Sequence, residues 1–174
     1  SGAFSMSGIL GVTWQRWGWS ARGGTFVYSY DGFRDTSGDF GEIFGDDAVV
    51  IEYEQQFTIP YVGLGVAWQG PALRLDGHLL LSGLVMAADT DDHLLREVVF
   101  EGDFSRGVYY GVGVNGTWQF TPRWFATLGF DYQSIPEITG DVTKTGIEGD
   151  AQFESGGGIA LHAAMASLGI GLRF

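Results

Sequence analysis

From Val108 to Phe120 the chain sets apolar residues at nearly every second position. Val108, Tyr110, Val112, Val114, Trp118 and Phe120 fall on one side, and Tyr109, Gly111, Gly113, Asn115, Thr117 and Gln119 on the other. A period of two is the pattern of an extended strand with one apolar face, which a helix cannot reproduce. The pattern recurs. Beyond Thr121-Pro122-Arg123, Trp124, Ala126, Leu128, Phe130 and Tyr132 oppose Thr127, Gly129, Asp131 and Gln133. Val62, Leu64, Val66 and Trp68 alternate with Gly63, Gly65 and Ala67. After Gly70-Pro71, Leu73, Leu75, Leu79 and Leu81 oppose Arg74, Asp76, His78 and Ser82. At the end of the chain Leu168, Ile170, Leu172 and Phe174 oppose Ser167, Gly169, Gly171 and Arg173. The expected fold is all-β and antiparallel.

Alternation alone does not separate a soluble sandwich from a membrane barrel; the connections do. Tight turns at Gly70-Pro71-Ala72 and Thr121-Pro122-Arg123 alternate with long, acidic, glycine-rich links near 31–48, 87–103 and 134–157. Short turns at one end and long loops at the other are the outer-membrane barrel pattern. Composition agrees. Hydrophobic residues make up 45%, with 29 Gly, 13 Phe, 7 Tyr and 6 Trp. The mean hydropathy is nevertheless only +0.08, so apolar residues are interleaved and not blocked. No stretch approaches the roughly 18 apolar residues of a membrane helix. The glycine carries no Gly-x-y period, which sets collagen aside, and the aromatics argue against disorder. The absence of cysteine is neutral as to compartment. A net charge of −12 disfavours nucleic acid as a partner and favours cationic ones.

The segments suggest about six strands, at roughly 7–30, 48–69, 72–90, 97–120, 123–137 and 157–174. Single-chain bacterial barrels begin at about eight. Two open edges in lipid would leave backbone groups unpaired at several kcal/mol each. The expectation is therefore a transmembrane β-barrel seen in part. Residues 1–174 form one barrel domain, and the remaining strands come from sequence on the N-terminal side or from another chain. The opening "SGAFSMSGIL" lacks the basic start and apolar core of a signal peptide.

The stretch "AADTDDHLLRE" (87–97) carries the most chemistry. Asp89, Asp91 and His93 stand at i, i+2 and i+4, so extended backbone places them on one face. Asp91 can then hold the imidazole of His93 in one tautomer and leave its other nitrogen to take a proton. Asp89 presents a fixed negative charge to a cationic side chain. Continuing the alternation from Leu73 points all three outward, so a bulge or twist between about Gly83 and Asp89 is required to turn them in. A metal reading competes, but no second histidine, cysteine or glycine-centred calcium loop accompanies these residues, and no metal site is assigned. The other reading of the stretch is a solvated loop tip.

Three segments taken together, "ARGGTFVYSYDGFRD" (21–35), "YEQQFTIPYVGL" (53–64) and "LSGLVMAADTDDH" (81–93), resemble in order and spacing the omptins, outer-membrane aspartyl proteases of Gram-negative bacteria. The resemblance extends over essentially the whole chain to the terminal "GLRF". It implies a barrel of roughly ten strands reaching beyond the membrane, with a site at the extracellular rim. It also implies that Asp91 and His93 form the pair that activates a water, His93 as general base and Asp91 orienting it. Asp89 then lines the pocket for the basic residue before the scissile bond, and the substrates are cationic peptides or proteins. The aspartate pair that faces this dyad in the family lies in strands preceding residue 1, and residues 1–20 hold no Asp or Glu to replace it.

Arg16 shares a face with Leu10, Val12 and Trp14, as an outward arginine at the end of an apolar strand. Such an arginine must snorkel or meet an anion. The resemblance matches it to an arginine that binds a lipopolysaccharide phosphate. The neighbouring family positions hold Val12 and Trp14, and a second basic position holds Gln56, so an altered lipopolysaccharide dependence is expected and no other cofactor. His78 is expected in an interior polar network with Arg74 and Asp76, and His162 in a structural role. Asp46 and Asp47 are read as loop solvation, Arg22 and Arg34 as ion-pair partners ordering a loop. The leading function is an omptin-like endopeptidase; the alternative is a non-catalytic outer-membrane barrel in adhesion or envelope structure. A passive pore fares badly, because about six strands leave no channel.

Overall fold

The computed structural model describes residues 2–30 and 33–174, with the side chains of 28–36 and 40 outside the described set. Six long strands form one antiparallel sheet: β1 (Ala3–Arg22), β4 (Val49–Gln69), β5 (Leu73–His93), β6 (Val98–Gln119), β7 (Trp124–Gly146) and β8 (Ala151–Leu172). They lie side by side in chain order, β1-β4-β5-β6-β7-β8. A separate hairpin, β2 (Thr25–Tyr30) with β3 (Phe33–Asp39), and the short helix α1 (Phe40–Phe44) occupy the connection between β1 and β4. The sheet is curled. Gln15 on β1 donates to Gln133 on β7 at 2.8 Å, although three strands separate them in the sheet. The result is a half-barrel with β1 and β8 at its two edges.

At one end the strands turn tightly, as expected, with Gly70 N donating to Leu73 O at 2.8 Å and Phe120 N to Trp124 O at 3.2 Å. At the other end the structure corrects the reading of long loops. Residues 87–103 are two paired strands joined by one 3₁₀ turn (Leu94–Arg96), and 134–157 is mostly strand around a turn at 147–150. Above the membrane both faces of a strand meet water, so hydrophobic alternation fades while the hydrogen-bonded ladder continues. The first strand is also shorter than expected: it ends at Arg22, where Gly23 takes a φ of 51° that a side chain resists.

The outer face shows where lipid stops. Phe4, Trp68, Trp118, Phe120 and Trp124 ring the tight-turn end, and Trp14 and Tyr110 mark the upper limit. Between them Leu10, Val62, Leu64, Leu79, Val112, Val114 and Leu168 are exposed, an arrangement suited to hydrocarbon. Beyond Pro60 the outward residues of β4 become Thr58, Gln56, Glu54 and Glu52; beyond Val108 those of β6 become Ser105, Asp103 and Glu101.

That boundary coincides with a fault in the pairing. Between Ser82–Tyr109 and Val85–Gly107, β5 carries one extra residue; between Val85–Gly107 and Met86–Ser105, β6 carries one. Ser82 Oγ accepts from Leu84 N at 3.1 Å in the first bulge, and Arg106 adopts φ 65° in the second. A single extra residue exchanges the faces of everything beyond it. On β5 the inward set changes from even numbers (His78, Leu80) to odd (Val85, Ala87, Asp89).

Inside, the curled sheet is layered. Arg74 forms a forked pair with Asp76, and His78 Nε2 lies 3.7 Å from Asp131, in the polar lower interior expected for them. At the height of the bulges Phe57, Ile59, Val85, Ala87, Phe104, Tyr109, Ile135, Ile138 and Ile159 form the buried core. This apolar layer is the floor on which the upper polar residues stand.

Candidate active site at the polar end of the half-barrel

Beyond the bulge, Asp89, Asp91 and His93 follow Ala87 at alternate positions on the inner face of β5. His93 Nε2 lies 3.2 Å from Asp91 Oδ2, with the two side chains 23% and 35% exposed. With Asp91 Oδ2 accepting a hydrogen bond from Nε2–H, Nδ1 is left as the ring's acceptor. His93 stands at the start of the 3₁₀ turn Leu94–Arg96 and its imidazole makes no side-chain cap bond there. Its ring stands edge-on to Phe100, centroids 5.5 Å apart at 68°. Phe100 is the cross-strand partner of Asp91 on β6, so an apolar edge borders the pair. Asp91 Oδ1 is buried and has no hydrogen-bond partner among the described residues, a free acceptor beside the imidazole.

The turn carrying His93 is anchored from outside. Arg96 reaches Glu148 in the β7–β8 turn with two nitrogens, and Lys144 Nζ lies 2.9 Å from the same carboxylate. Lys144 and Arg96 hold the Glu148 carboxyl down to about 2. Glu97, at φ 50°, closes the turn, and Ile147 N donates to its carbonyl at 3.3 Å.

Asp89 has company that the sequence did not reveal. Tyr53 on β4 donates its hydroxyl proton to Asp89 Oδ2 at 2.7 Å, and Gln55 Nε2 donates to the Tyr53 oxygen at 2.9 Å. The rings of Tyr53 and Trp19 on β1 lie 5.5 Å apart at 36°. Burial first, then the Asp89 hydrogen bond and the charges of Asp89 and Asp91, push the Tyr53 phenol up to about 12, so it remains a donor. Only the alternation of "YEQQF" hinted that Tyr53 and Gln55 share a face. Their meeting with Asp89 depends on the β4–β5 register, in which Gln55 faces Asp89 and Tyr53 faces Asp91.

The remaining candidates lie apart. Arg16 points outward and pairs closely with Glu54, whose other oxygen accepts from Gln56 at 2.7 Å. Glu54 is thus the anion that this rim arginine meets. Arg22 donates to the backbone carbonyl of Asp47 at 3.0 Å, a loop contact to the main chain where a carboxylate partner was expected. The Arg34 side chain lies outside the described residues. His162 Nδ1 sits 2.8 Å from Ser134 Oγ on the outer wall of β7 and β8.

The chain matches the family model for the Omptin family over residues 2–174. Outer membrane protease OmpP of Escherichia coli K12 is 34% identical over 116 residues, covering 66% of this chain and 36% of that protein. The plasminogen activator of Yersinia pestis is 30% identical over 125 residues, covering 72% and 38%. The crystal structure of outer membrane protease OmpT from Escherichia coli aligns with a TM-score of 0.80 over 98% of this chain and 58% of that one. At 24% identity, that likeness is one of fold. The matched segments span a little over a third of the length of these curated relatives. A curled antiparallel sheet with a lipid-facing belt, matched from residue 2 to residue 174, belongs to the omptin family of the Gram-negative outer membrane.

Proposed function

We propose that this chain carries the Asp–His half of an outer-membrane endopeptidase that cuts peptides at basic residues. The observation that supports this is the contact of Asp91 with His93 on the inner wall, two residues from Asp89 on the same face. In the proposed reaction a water is the nucleophile. His93 takes its proton on Nδ1, and Asp91 holds the ring and balances the imidazolium. Asp89 binds the basic side chain before the scissile bond, and the net charge of −12 raises the local concentration of cationic peptides. Relatives named as outer membrane proteases agree with hydrolysis as the reaction.

Arg16 is proposed to meet lipopolysaccharide phosphate at the upper lipid boundary. Glu54 already neutralises it, so a phosphate competes for the guanidinium and stimulation by lipopolysaccharide should be modest. The test is hydrolysis of a fluorogenic Arg-Arg peptide by the protein with and without lipopolysaccharide, beside His93→Ala. Cleavage by the parent that His93→Ala abolishes supports the reading. Equal cleavage by both, or none by either, refutes it and favours a non-catalytic barrel.

A further inference from the structure

Asp89 is held from two sides. Its Oδ2 accepts from the Tyr53 hydroxyl at 2.7 Å, and that hydroxyl is itself steered by Gln55 at 2.9 Å. Its Oδ1 lies over Gly102, the cross-strand partner of Asp89 on β6, where a Cβ would collide with the carboxylate and with the Phe104 ring of the floor. Gln55, Asp89 and Gly102 form one row across three strands.

We propose that Tyr53 and Gly102 are positioning residues that lock the Asp89 carboxylate for a cationic side chain entering the groove, so that they govern binding and not the chemical step. This inference rests on the reading of Asp89 as the acid that meets the substrate.

A free aspartate samples rotamers and loses that freedom when it pairs with a cation; a carboxylate already fixed does not. Tyr53 supplies a strong fixing bond, since hydrogen bonds to ionised acceptors are short and about twice as strong as neutral ones. The donor persists, because burial first and then Asp89 keep the phenol protonated. Gly102 acts by subtraction: with no side chain, β6 leaves the space that Oδ1 and the edge of the Phe104 ring share. Trp19, half exposed beside Tyr53, offers a ring face to the stem or plane of the incoming cation.

The experiment uses the full-length protein refolded in detergent with lipopolysaccharide. Two uncleavable peptides with a reduced central bond serve as probes, one with arginine before that bond and one with its neutral isostere citrulline. Tyr53→Phe keeps the ring and removes the hydroxyl; Gly102→Ala intrudes from the other side. Tyr53→Phe should weaken the arginine peptide about tenfold, as expected for losing one charge-assisted bond; Gly102→Ala should weaken it by displacing the carboxylate; both should leave the citrulline peptide unchanged. Neither should have further effect once Asp89→Asn is present. With cleavable substrate, KM should rise while kcat stays near that of the parent.

Unchanged binding of the arginine peptide by Tyr53→Phe would overturn the proposal. So would equal loss for both peptides, or an effect that survives Asp89→Asn. If the parent prefers arginine in binding but cleaves nothing, the protease reading falls and the positioning stands. If it cleaves and Tyr53→Phe is indistinguishable in both assays, the positioning alone falls.

Discussion

Arg96 grips Glu148 with both its Nε and Nη2, at 3.0 and 2.7 Å from Oε1, joining the turn after His93 to the β7–β8 turn. The Glu148 carboxyl is depressed from 4.5 to about 2, so its contribution is present above about pH 4.5 and is lost as pH falls toward 2. Amide exchange, corrected for intrinsic rates, should show residues 94–97 and 146–149 losing protection across that window. Glu148→Gln should show faster exchange in the same segments already at neutral pH, with the floor residues unaffected. Continued protection of both segments at pH 2 in the parent would refute the anchoring role.

Arg106 sits at φ 65°, in the left-handed region, as the extra residue of the β6 bulge. A side chain there costs roughly 1–2 kcal/mol that glycine escapes. Arg106→Gly should therefore raise the urea midpoint of the refolded protein, and Arg106→Val should lower it. A fall with glycine would mean that the guanidinium makes a contribution larger than the backbone strain.

The floor beneath the site should be the most sensitive part of the interior. Phe57 is fully buried among Ile59, Ala87, Phe104 and their neighbours. Phe57→Ala should cost about 3–5 kcal/mol of folding free energy. Because Ala87 directly precedes the Asp89–His93 row and is the cross-strand partner of Phe57, peptide cleavage should fall with it. Equilibrium unfolding and a cleavage assay on the same preparation check both.

The lipid boundary can be located by charge. Val114 lies on the outer face between the aromatic belts, and Ser105 lies on the same strand beyond the bulge. Val114→Arg should cost about 2–4 kcal/mol and Ser105→Arg at most about 1. Equal costs, measured by unfolding in lipid vesicles, would place the boundary elsewhere.

Much of this protein is legible as a line of letters because a strand's faces are written locally. Val108 to Phe120 names its lipid side and its interior side without reference to any other strand, and the tight turns at Gly70-Pro71 and Thr121-Pro122 reveal which end is short. The row Asp89, Asp91, His93 was also visible, since i, i+2 and i+4 share a face in any extended chain. That the row required a bulge to turn inward followed from the same counting.

What the letters could not specify is anything that depends on two strands at once. The second bulge, at Arg106 on β6, bears no signal that a single strand announces; it exists because β6 must yield one residue to match the one that β5 yields and keep a shared ladder. The extensions of β5, β6 and β7 carry the sequence pattern of loops, because polar residues on both faces erase the alternation but not the backbone pairing. Tyr53 and Asp89 are 36 residues apart, and Arg96 and Glu148 are 52 apart. Such meetings are set by register, and register is decided by the whole sheet as it curls around its buried floor.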